Sequence, residues 1–324
     1  MPQKVAKKAS TFRIRLQDIG TLLGADYSIA WAINNNSQIV GASGGRAFLW
    51  SAEDGMVDIG TLPGVTSAIA MGINNRGEIV GSSGGHAFLW TAKGGMVELG
   101  VPYGSTSSNA TSINDKGEVV GYYRVDGLQR SFMWSPKDGA TDIGTLPGET
   151  MCYAANINDK GEVTGSTHST SFPFGRAFLW SAKHGMREIG ILPGTTTSVG
   201  LGINNKGQVA GISSAKPLSS GNAFMWSAKN GMVDLGVQEG AIFSAARSIN
   251  EKGQIVGHSA YGSTKTQRAF LWTSEKGFVE LPGLPNSMSS YAYAINNKGQ
   301  ATGASQIILP TGGITTHAVM WTTQ

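Results

Sequence analysis

Seven times along the chain a tryptophan closes a short apolar run, at Trp50, Trp90, Trp134, Trp180, Trp226, Trp272 and Trp321. The residue four before it is Arg46, His86, Arg130, Arg176, Asn222, Arg268 or His317. Six of these seven are cationic or titratable, and a guanidinium fork can bind a carboxylate, sulfate or phosphate. An acid stands eight residues after each of the first six tryptophans, at Asp58, Glu98, Asp142, Glu188, Asp234 and Glu280, with a further copy at Asp18. Every cation therefore has a carboxylate available nearby in the pattern, and symmetric polar rings commonly serve packing. A second set of candidates lies off the repeat: Tyr122, Tyr123, Phe172, Phe174 and Tyr261. Amphipathic rings at loops can stack on a sugar, or they can anchor their own loops.

Motifs for catalysis are missing. The five histidines, His86, His168, His184, His258 and His317, have no metal-ligand spacing, and no nucleophile elbow or zincin motif occurs. Glycine is abundant, but no helix follows it to present amides to a phosphate. The single Cys152 takes a place held by serine in other repeats (Ser28, Ser108, Ser198, Ser244, Ser290), which suits a small buried substitute. No cofactor or metal is expected. Acids paired across repeats, as a glycosidase needs, are invisible at this level.

The elements that position these residues follow from the repeat. Ser67 to Gly100 is its plainest copy, and an Ile-Asn pair recurs at Ile33, Ile73, Ile113, Ile157, Ile203, Ile249 and Ile295. Four short strands fit each unit. In this copy strand A is 67–73, B is 78–83, C is 87–90 and D is 96–99, each β-branched, aromatic or small and bounded by Gly or Asn. Asn74-Asn75-Arg76-Gly77 reads as a turn in which Asn caps and Gly takes a positive φ. Four antiparallel strands per repeat of roughly 40 to 45 residues predict a propeller blade, so the fold class is all-β with seven blades. Residues 12–22 are expected to supply strand D of the last blade, whose other strands come from about 286–324. One domain, 12–324, follows a flexible basic tail, 1–11.

Spacing separates two faces. Ile to the strand B glycine, tryptophan to acid, and acid to the next Ile are constant, whereas the distance from that glycine to tryptophan grows from Gly41–Trp50 to Gly303–Trp321. All length variation thus sits in the B–C connection. Because strands alternate in direction, the B–C and D–A connections share one face, which is where function is expected. The strand A position two before Ile is also diverse (Trp31, Met71, Thr111, Ala155, Leu201, Arg247, Tyr293), as a central channel or irregular packing between blades allows. The tryptophans alternate with Phe and are assigned to the core.

Net charge is +4 and 14% of residues are charged, with no dense basic run, so nucleic acid is not an expected partner. No stretch has the length of a membrane span. The basic N-terminus lacks an apolar h-region, which predicts a soluble monomer or a mature form whose export signal has been removed.

The segments His86-Ala87-Phe88-Leu89-Trp90, Arg46-Ala47-Phe48-Leu49-Trp50 and Arg176-Ala177-Phe178-Leu179-Trp180, with their Ile-Asn-Asn-x-Gly turns, resemble the HAF repeats of bacterial proteins. The resemblance covers residues 12–324 and implies an exported protein, extracellular or periplasmic, with no established activity or catalytic residues. Only His86 and His317 keep the eponymous histidine, and Val319 replaces Phe in the last copy. The function expected is non-catalytic binding of carbohydrate or protein through the variable face. The alternatives are an enzyme acting on anionic polysaccharide, with Arg130, Arg176 and Arg268 orienting carboxylates, and a purely structural module.

Overall fold

A computed structural model describes residues 13–102, 104–169, 175–216, 220–262 and 266–323. The expected tail, 1–11, lies outside these residues, as do Phe172 and Phe174. The described residues form twenty-eight strands and no helix. In the plain repeat the strands are Ala68–Ile73, Ile79–Ser83, His86–Thr91 and Gly95–Glu98, each within about a residue of its expected place. They pair A-B-C-D as an antiparallel meander, and the pattern recurs in the other repeats. A single parallel bridge, Gly221 to Phe243, joins the fifth and sixth meanders. Strand Ile14–Gly20 pairs with the last strand, Ile314–Thr323, placing Leu16 opposite Trp321, so the two ends of the chain share one sheet.

The core lies between consecutive sheets. Val40 and Ala47 of the first repeat pack with Ala70, Ile73 and Phe88 of the second, and Ala318 and Met320 of the last pack with Ala30 and Phe48 of the first. Phe48, Phe88, Phe132, Phe178, Phe224 and Phe270 have no solvent exposure, and Trp321 does the same in the repeat that carries Val319. Such contacts supply most of the stability, at roughly 25 cal/mol per Å² of apolar surface removed from water.

Strand A is bulged in every repeat at one place. Ala30 faces Gly41 and Ala32 faces Val40, so Trp31 has no partner in the ladder. The same skip occurs at Met71, Thr111, Ala155, Leu201, Arg247 and Tyr293. A bulge re-aims its side chain and tightens the local twist. It also brings strand A close to strand B, which explains the recurring glycine there. A Cβ on Gly165 would lie 1.9 Å from the Tyr153 carbonyl oxygen and 3.0 Å from the Phe178 ring.

The Ile-Asn landmark is a hydrogen-bonding device. Asn74 Oδ1 accepts from the amides of Arg76 and Glu78, closing its own turn, while Nδ2 donates to Glu78 and to the Asn114 carbonyl of the next repeat. The carbonyl bond runs on from Asn114 to Asn158, Asn204, Asn250 and Asn296, and Asn296 donates to Asn34, which donates to Asn74. The seven bonds form a cycle. A second cycle lies beside it, in which the amide of each following residue, starting with Asn35, donates to the side chain of its counterpart one repeat on. Gly77 has φ +77°, and in the first repeat Ser37 adopts the same left-handed conformation at +66°.

Candidate functional site

The cations that precede the tryptophans do not converge. Each is taken by the strand D carboxylate of its own sheet: Arg46–Asp58 at 3.2 Å, His86–Glu98 at 2.9 Å, Arg130–Asp142 at 3.1 Å, Arg176–Glu188 at 2.9 Å, Arg268–Glu280 at 2.8 Å and His317–Asp18 at 2.8 Å. Asn222 keeps the pattern by donating to Asp234. Arg176 also reaches Glu149 at 2.8 Å, and Arg46 donates to the Leu23 carbonyl. These pairs sit on the outer two strands and are partly solvent-exposed, where an ion pair contributes about 0 to 1 kcal/mol. Tyr123 donates to Asp142, so it joins the Arg130 pair, and burial together with that bond raises its phenol pKa. Tyr261 lies beneath the Arg268 guanidinium at 5.7 Å. His317 borders a surface cavity of about 520 Å³ with Tyr27 and Ile314. Among the described members of the expected set, only Tyr122 belongs to the cluster described next.

The innermost strands enclose a channel. At the A–B turn end, a cavity of about 190 Å³ is lined by the Ile-Asn landmarks of all seven repeats. Its buried asparagine amides are consumed by the two hydrogen-bond cycles, so this mouth is built and closed by the fold's own polar groups. Deeper in, another cavity of about 190 Å³ is bordered by Trp31, Met71, Thr111 and Tyr293, at the level of the bulges.

Around and beyond that level, towards the B–C and D–A connections, aromatic rings gather. Trp31 and Tyr293 have ring centroids 4.5 Å apart, Tyr293 stacks on Tyr291 at 6.0 Å, and Tyr291 meets His258 edge-on at 5.3 Å. Phe243 lies 6.0 Å from His258. Across the channel Tyr122 and Tyr153 pair at 5.5 Å. The bulges put Trp31, Arg247 and Tyr293 here. Tyr291 stands two residues before Tyr293 on its strand and Tyr153 two before the bulged Ala155 on another, and Tyr122 and His258 face strand A from strand B.

Arg247 connects the two aromatic groups electrically. It feels the hydroxyls of both Tyr293 and Tyr153, and its own pKa is lowered chiefly by burial. Among the described residues it makes no ion pair, and its buried Nε has no hydrogen-bond partner. Burial pushes the Tyr293 phenol up to about 12 and raises Tyr153, so both hydroxyls keep their protons at neutral pH. Burial, assisted by the Arg247 charge, pushes His258 down to about 3, leaving a neutral ring whose Nδ1 is also unpartnered. Asn109 Oδ1, opposite Tyr122 on the sheet, is a third unpartnered buried atom. Arg247 is half-buried, and holding a guanidinium partly out of water without a carboxylate partner has a cost that persists where another role requires the charge. Diversity at the bulge position does not by itself place Arg247, Trp31 or Tyr293 in a site; an arginine at a strand position otherwise held by apolar, aromatic or small residues is the signal the sequence carries. Tyr153, Tyr291 and His258 carried no such mark.

Cys152 is fully buried and its thiol is pushed up to about 12 by burial. Elsewhere the strand A serine accepts from a strand C amide of the preceding sheet, as Ser108 does from Ala87. At Cys152 the roles are exchanged: Ser131 of strand C accepts from the Ala154 amide instead.

The meanders and their central channel define the β-propeller architecture. Solved structures agree. The chain is similar to a streptogramin B lyase (TM-score 0.64, 10% identity, 96% of this chain and 98% of that one). It is also similar to virginiamycin B lyase from Staphylococcus aureus (TM-score 0.65, 9% identity, 96% and 99%). A third similar structure is the extracellular domain of a B. thetaiotaomicron protein described as a one component system (TM-score 0.57, 7% identity, 94% and 39%). At these identities the likeness establishes the fold alone. No family profile matches the chain, and no curated protein matches it. Among the described residues no helix is long and apolar enough to cross a membrane, and no group of three or more His, Cys, Asp or Glu side chains could hold a metal ion.

Proposed function

We propose that residues 12–324 form a single monomeric seven-bladed propeller, closed by the N-terminal strand, that binds a ligand without transforming it at the face carrying the variable B–C connections. The observation that carries this reading is the gathering of Trp31, Tyr291, Tyr293, Tyr122 and Tyr153 around the channel on that side. Rings with an apolar body and a polar tip are the side chains that grip sugars and peptide side chains. Carbohydrate or a protein segment is therefore the ligand class, and the resemblance to HAF repeats supports an extracellular or periplasmic setting. The opposite mouth is a poor competitor, because its asparagines are committed to the fold.

The test is a binding screen of the purified protein against glycans and surface-protein extracts, read by the fluorescence of its tryptophans and by calorimetry. Hits should weaken tenfold or more in Trp31→Ala and Tyr293→Ala proteins that melt like the parent. Hits that survive both substitutions would remove the channel from the argument, and an empty screen would remove the reading itself.

A further inference from the structure

The ligand's charge can be read from Arg247, a half-buried cation beside the channel that has no ion-pair partner among the described residues. Four arginines and two histidines before the tryptophans have carboxylates within 3.2 Å, yet Arg247 has none among the described residues, and its Nε is buried without a hydrogen-bond partner. The groups that act on it electrostatically are two phenols, Tyr153 and Tyr293. A guanidinium with two neutral phenols in its electrostatic surroundings supplies donors of the kind that suit a planar anion with several lone pairs. A single positive charge matches a monoanion. No second cation is among the groups acting on Arg247, as a dianionic phosphate would require, and His258 stays neutral. Ser248, next to Arg247 in the chain, borders the cavity of about 190 Å³, which compares with the ~150 Å³ that admits a benzene molecule, so the body of the ligand is one ring. Trp31 and Tyr293 border that cavity and offer the ring a face.

We propose that Arg247 is an anion-binding residue and that the channel takes a single-ring compound bearing one carboxylate. This rests on the binding reading above and adds the charge and size of what is bound. A uronic acid and a small aromatic acid share that chemistry.

The experiment titrates parent, Arg247→Met and Arg247→Lys proteins with glucuronate, glucose, benzoate and benzamide. The parent should bind at least one acid, ten times or more tighter than its neutral counterpart; the preferred acid distinguishes sugar from aromatic acid. Arg247→Met should lose that preference while melting at or above the parent temperature, because an unpaired, half-buried charge has been removed. Arg247→Lys keeps the charge but not the fork and should fall between. Equal binding of acid and amide, or of glucuronate and glucose, with Arg247→Met unchanged would overturn the anion proposal and leave the binding site standing. Binding of none of the four compounds, alongside hits in the wider screen, would also overturn it. A lower melting temperature in Arg247→Met would mark the residue as structural and count against it.

Discussion

Replacing His258 by phenylalanine should remove part of the protein's acid sensitivity. The ring is buried between Phe243 and Tyr291, and its pKa of about 3 lies well below the ordinary value of about 6.5. In the unfolded chain the imidazole takes up a proton below about pH 6.5, while in the folded protein it stays neutral until near pH 3. Its contribution is therefore intact above pH 6.5 and is lost progressively as pH falls. Each pH unit below the unfolded value costs about 1.4 kcal/mol, so the loss between pH 7.5 and pH 5 is about 2 kcal/mol. Phenylalanine has a similar shape, carries no proton and leaves no buried nitrogen unpartnered. Urea unfolding of both proteins at several pH values, followed by tryptophan fluorescence, isolates the effect, because other titrating groups are common to the pair. His168, also lowered by burial, is among these. The variant should gain about 2 kcal/mol on the parent as pH drops from 7.5 to 5. A difference in stability that is the same at both ends would refute the depressed pKa and the burial argument behind it.

Other consequences are as direct. Asn158→Ala removes the acceptor of the Lys160 and Glu162 amides and the donor to Asn204, and should cost roughly 3 kcal/mol in urea unfolding. Gly165→Ala should abolish recovery of folded protein, whereas Gly60→Ala, with open space but φ +83°, should cost about 1 kcal/mol by thermal melting. Ser131→Ala should lose roughly 1 to 3 kcal/mol in urea unfolding because the Ala154 amide loses its acceptor. Native Cys152 should resist thiol reagents at pH 8 and react once the protein is unfolded in urea.

Much of the fold was legible because identical backbone demands recur. The asparagine that closes each turn, the glycine with no room for a Cβ and the buried phenylalanine each answer a local geometric requirement, so they return at constant spacing. The propeller class and the strand places follow from them. The cation-acid pairs were legible for the same reason, as a carboxylate at fixed distance from each strand C cation. The channel cluster was not. Arg247, Tyr153 and Tyr293 belong to different repeats and come together only when the sheets are arranged around an axis, which no spacing along one strand records. Diversity at the bulge position signalled a relaxed environment, but Tyr291 and His258 looked like ordinary strand residues.

The bulge has a consequence for how such a protein acquires a new specificity. A side chain outside the ladder can change without disturbing strand pairing, and four of the seven such positions, Trp31, Met71, Thr111 and Tyr293, border one cavity while hydrogen bonds elsewhere hold the frame. Mutational drift at these sites alters the lining piecemeal, at little risk to folding. Randomising Trp31, Met71, Thr111, Ala155, Leu201, Arg247 and Tyr293 together would turn the channel into a receptor library on a fixed chassis.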